Sequence, residues 1–161
     1  MLKIFRIILL TCSLFIAEFI VADFSGGWFR PNLLILLVIF FNAHRGIRYS
    51  LLVAFIAGFL KDSYGAGVFG ANIFAFALCA YATTLIQKYF YHLESFFLRL
   101  VVVLSVTFLY TSVLYVFYSS SAPLSFQEVV IFVMLPEVLS TILVASLFLK
   151  GLDACVLKLS V

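Results

Sequence analysis

The chain has 161 residues, 66% of them hydrophobic and 11% charged, with a mean hydropathy of +1.27. Soluble chains run about 45–50% apolar, so a water-soluble fold of this length is excluded and the solvent is lipid. The net charge of +3 then reports where basic residues flank membrane spans, not a nucleic-acid partner.

The N-terminus, MLKIFRIILLTCSLFIAEFIVADF, has the charged start and apolar run of a signal sequence. The apolar run is about twenty residues long and no small-x-small cleavage site follows, so an uncleaved first span over about 2–22 is the better reading. LLTC is a poor lipoprotein signal, because threonine precedes Cys12. A second span is predicted over 28–43, with Trp28 as its interfacial anchor, ending at the polar break HRGIR. Four more follow over about 46–62, 68–87, 96–118 and 129–149. The expected fold class is all-α: a single transmembrane domain of six helices, with no soluble domain. A β-barrel is excluded because its lumen-facing positions would alternate polar with apolar.

Charge fixes the expected orientation. With the N-terminus inside, the inner segments hold Lys3, Arg6, Arg45, Arg48, Lys88, Arg99, Lys150 and Lys158, while the outer ones hold only Arg30 and Lys61. The loop SSSAPLSFQE has no basic residue. The positive-inside rule therefore places both termini in the cytoplasm.

The most polar interruption is GFLKDSYGAGVFGANIFAFAL, from Gly58 to Leu78. A charge at a bilayer centre costs roughly 2.5–3.5 kcal/mol on insertion scales, so KDSYGAG is expected as an outward turn between spans three and four. Gly65 and Gly67 are expected to supply positive φ there, with Tyr64 at interface level. Small residues recur every four positions on both sides. Ser50, Ala54 and Gly58 form one row, ending at Asp62; Gly67, Ala71, Ala75, Cys79 and Thr83 form the other. Such ridges let two backbones approach closely in lipid, either within this hairpin or against a partner. Asp62 is expected to accept from free N–H groups at the start of span four, or else to pair loosely with Lys61 in solvent.

Glu137 lies in span six after Pro136, with Ser140 and Thr141 on its face. Its face should point into the bundle or a partner, as a packing residue rather than one member of a proton relay, and Pro136 should kink the helix. Glu18 is expected at a hydrated level near the surface. Cys12, Cys79 and Cys155 are isolated and read as helix-packing residues. His44 and His92 fall in cytoplasmic connections without a catalytic motif, and no Walker-type loop is present. No catalytic residue, cofactor or metal is expected.

The stretch FRPNLLILLVIFFNAHRGIRYSLLVAFIAGFLKDSYGAGVFGANIFAFALCAY resembles the bacterial rod shape-determining MreD family. The features that carry it are Arg30-Pro31-Asn32 opening an apolar span, the basic break, and GFLKD followed by SYGAGVFGAN. Two positions depart from it: many members have an acid where Asn32 stands, and an apolar or small residue where Lys61 stands. The resemblance implies a non-catalytic inner-membrane scaffold of the cell-elongation, peptidoglycan-synthesising complex. Such a scaffold would bind MreC and, through the complex, act with MreB, RodA and its transpeptidase. That family's helical core is similar to the S components of energy-coupling-factor transporters, so the rival expectation is a vitamin-binding carrier subunit. Candidate partner-binding or structural-hairpin residues are Arg30, Pro31, Gly58, Asp62, Gly65, Gly67 and Gly70, with Glu137 as the intramembrane polar residue.

Overall fold

A computed structural model describes residues 2–26, 28–65, 68–90, 96–119 and 126–158. Six long helices account for nearly all of them: α1 (Leu2–Phe24), α2 (Leu33–Arg45), α3 (Ile47–Tyr64), α4 (Ala71–Phe90), α5 (Phe96–Tyr118) and, after a short α6 (Phe126–Val129) and a π-helical segment (Val130–Met134), α7 (Leu135–Lys158). No strand occurs among the described residues. The fold is all-α and of membrane type. By length and composition, Ile4–Phe24, Arg99–Tyr118 and Gln127–Leu147 can each cross a bilayer.

Helix α2 is the hub of the bundle. It packs against α1, α3, α4, α5 and α7, and its residues from Leu34 to Asn42 are all buried. The sequence LLILLVIFF has no polar face, which suits a helix surrounded on every side. It is also short. The second apolar segment becomes helical only at Leu33, because Pro31 lacks an N–H and Asn32 caps the helix by accepting from the Ile35 N–H at 3.2 Å. Thirteen residues rise about 20 Å, less than the roughly 30 Å of a hydrocarbon core. At its other end Gly46, with φ of 80°, turns the chain directly into α3.

Both small-residue rows lie inside the bundle, Ser50 bonding to α2 and Cys79 to α5. Ser50, Ala54, Gly58 and Asp62 on α3 and Ala71, Ala75, Cys79 and Thr83 on α4 are all buried. A Cβ at Gly58 would collide with the backbone of Ile73, lying 2.6 Å from its nitrogen. The α3–α4 contact at this level is backbone on backbone, which only glycine permits.

The turn between α3 and α4 differs from the sequence expectation in two ways. Helix α3 continues through Lys61 and Asp62 to Tyr64, so both charges stand on a helix instead of in the loop. Nothing before Gly65 breaks the helix, and Asp62 finds its hydrogen-bond partners at the start of α4. Secondly, Gly65 is extended at φ −80°; the positive φ belongs to Gly70, at 96°. Gly67 lies outside the described residues.

Ahead of Pro136 the helix widens for one turn, and the Leu135 N–H donates to the Val130 carbonyl five residues back. The wider turn accommodates a ring that would crowd the preceding α-turn, and no N–H is needed from Pro136.

Candidate functional site

Asp62 organises the outer end of α3 and α4. Its Oδ2 accepts from the N–H groups of Gly70 (3.0 Å) and Ile73 (3.2 Å). Its Oδ1 accepts from the Asn72 N–H (3.1 Å) and the Asn72 side-chain amide (2.9 Å). Four donors on one buried carboxylate satisfy N–H groups that the first turn of α4 would otherwise leave open. Asn72 is held in turn by Tyr110 of α5, whose hydroxyl donates to Oδ1 at 2.7 Å.

One residue back on α3, Lys61 points to α1 and forms an ion pair with Glu18 at 2.7 Å. Its ammonium also lies 5.4 Å from the ring centre of Tyr110 and 5.5 Å from that of Phe76, within cation–π range. The other Glu18 oxygen accepts from the Leu34 N–H at 3.3 Å, at the start of α2. Glu18 is therefore not a hydrated surface acid; it joins α1, α2 and α3. Lys61 is not a loop charge paired with Asp62, since the helical turn points the two side chains to different neighbours.

The start of α2 is also tied to α7. The Asn32 side-chain amide donates to Glu137 Oε1 at 2.8 Å, and its backbone N–H donates to Thr141 Oγ1 at 2.9 Å. Glu137 thus faces the bundle. At the opposite end, Asn42 donates to the Ala80 carbonyl and to Thr84 at 2.6 and 2.9 Å, fastening α2 to α4.

These groups surround a cavity of about 340 Å³ lined by Glu18, Arg30, Lys61, Asn72, Tyr110 and Glu137, with apolar walls from α1, α5 and the π segment. A second cavity of about 230 Å³, lined almost wholly by apolar groups of α5 and the π segment, shares Leu114, Val133 and Glu137 with it. Arg30 is exposed at the first cavity, whereas Pro31 beside it is buried. Among the described residues, no cluster of three or more His, Cys, Asp or Glu is placed to hold a metal.

The family model of the rod shape-determining protein MreD matches residues 1–151. The chain belongs to the MreD family. No curated protein and no solved structure matches it. For an MreD-family chain, the expected site residues divide clearly. Gly58, Asp62 and Gly70 come together at the α3–α4 junction, Arg30 and Glu137 line the cavity, and Gly65 lines it from the end of α3. Sequence reasoning overlooked the partners of Glu18 and Asn72, the role of Tyr110 and the cap at Asn32. The signal available was the rarity of charged and amide side chains in apolar spans, which marks each for an interior partner.

Proposed function

We propose that this MreD-family protein is a non-catalytic scaffold of the bacterial cell-elongation complex. It resides in the cytoplasmic membrane with both termini in the cytoplasm and binds MreC. Through that complex it acts with MreB, RodA and the transpeptidase in peptidoglycan synthesis. The family match over residues 1–151 carries this reading. The polar chemistry is consistent with it: Asp62, Asn72 and the Lys61–Glu18 pair are engaged in joining helices, as a rigid binding surface requires. Depletion in a rod-shaped host should round the cells and delocalise the partner complex, with no vitamin requirement.

The cavity beside Lys61 favours a second reading, a substrate-binding subunit resembling the S components of vitamin transporters. Normal cell shape on depletion, together with rescue by one added vitamin, would establish that reading in place of the first.

A further inference from the structure

Among the described residues, Arg30 and Glu137 at the cavity keep open hydrogen-bonding positions. Lys61 and Glu18 neutralise each other, and both oxygens of Asp62 are occupied. Arg30, by contrast, lines the cavity and has no hydrogen bond or ion pair among the described residues. Glu137 accepts through Oε1 from Asn32, while no described donor reaches Oε2. An ammonium has three donors, and Lys61 has two described acceptors, Glu18 and the Tyr110 hydroxyl at 3.5 Å. The cavity therefore presents a guanidinium and a spare ammonium proton beside a half-satisfied carboxylate. An open acceptor on a carboxylate turned into an apolar bundle is costly, which favours a donor at Glu137.

The complement of this arrangement is a zwitterion whose anionic part has several acceptor oxygens and whose cationic part donates hydrogen bonds. A phosphate suits Arg30, because the guanidinium fork matches its oxygens, and Lys61 can donate to it as well. A primary ammonium suits Glu137 Oε2. Apolar space continues past the carboxylate into the second cavity, lined by Leu114, Val133 and Met134. A ligand with a polar head and an apolar tail uses both. The volume of about 340 Å³ lies at the small end of the roughly 300–1,000 Å³ range of ligand sites, suited to a headgroup alone. We infer that this cavity binds the phosphoethanolamine head of an aminophospholipid, with Arg30 on the phosphate, Glu137 on the ammonium and an acyl chain in the adjoining apolar cavity.

The site stands apart from the scaffold reading, so binding is measured on the purified full chain without partners. In detergent, the protein is titrated with short-chain phosphatidylethanolamine, phosphatidylcholine and phosphatidylglycerol, and with free phosphoethanolamine, using native mass spectrometry. Phosphatidylethanolamine should bind at least tenfold tighter than the other two lipids, since a quaternary ammonium cannot donate and a glycerol head has no cation. It should also exceed free phosphoethanolamine, which has no tail. Arg30→Ala and Glu137→Gln should each weaken it about tenfold or more. Arg30 is exposed and makes no hydrogen bond or ion pair among the described residues, so its variant keeps the fold; circular dichroism and elution volume verify this for both. Equal binding of the three lipids, or unchanged binding in well-folded Arg30→Ala, overturns the assignment. Free phosphoethanolamine binding as tightly as the lipid overturns the lipid as its source.

Discussion

At the scale of single residues, the Lys61–Glu18 pair is where position in the sequence misleads most. Lys61 follows an apolar run and precedes Asp62, so its sequence offers it no partner beyond a loose pairing with Asp62 in solvent, and Lys61→Ala reads as a change of little effect. In the fold Lys61 meets Glu18 across the bundle, and removing it leaves a carboxylate without its cation. Such losses cost on the order of 3 kcal/mol. Lys61→Met is therefore expected to lower thermal stability in detergent, and the double variant Glu18→Gln/Lys61→Met to recover most of the loss. An additive double-mutant cycle would show that the pair does not couple the helices. Asp62→Ala strips four donors of their acceptor; an expected loss of about 1–3 kcal/mol follows from leaving buried donors unsatisfied. Asp62→Asn, which keeps an acceptor, should lose less, as chemical denaturation would measure.

At the scale of elements, the α3–α4 hairpin was the most legible part of the chain. Small residues at a period of four mark a close helix contact whatever the partner; the described members of both rows are buried, and Gly58 brings α3 against the α4 backbone at Ile73. Gly58→Leu would drive a side chain into the Ile73 backbone, where nothing flexible can yield. It should destabilise the hairpin by about 1–3 kcal/mol or more, whereas Gly58→Ala should already be measurably worse than wild type. Equal melting of the Ala variant and the wild type would contradict the contact. Turn chemistry was less legible. Which glycine takes positive φ depends on how the two helices close, and that role falls to Gly70 instead of Gly65. The π segment was also hidden, since Pro136 announces a distortion but not whether the helix kinks or widens. Contacts such as Asn32 to Glu137 join residues more than a hundred positions apart, and no periodicity connects them.

At the scale of the whole molecule, composition together with the long, non-alternating apolar runs points to the all-α membrane class, and the MreD match covers residues 1–151. The short α2, buried from Leu34 to Asn42, and the polar ties at both of its ends give the bundle a fixed centre around which the other helices pack. For topology, the distribution of Lys and Arg predicts that a reporter active only outside the membrane is silent when fused after Lys158 and active when inserted at Ser120; the reverse pattern would refute the orientation. A rigid hairpin held by Gly58 and Asp62 also means that loosening it should weaken partner binding while the protein still inserts. The most direct measurement is affinity purification of the tagged chain from native membranes, with co-purified MreC quantified for the wild type, Gly58→Leu and Asp62→Ala at matched abundance. The scaffold account predicts MreC with the wild type, less with Asp62→Ala and least with Gly58→Leu. Absence of MreC from the wild-type eluate, with the protein intact and folded, would contradict it.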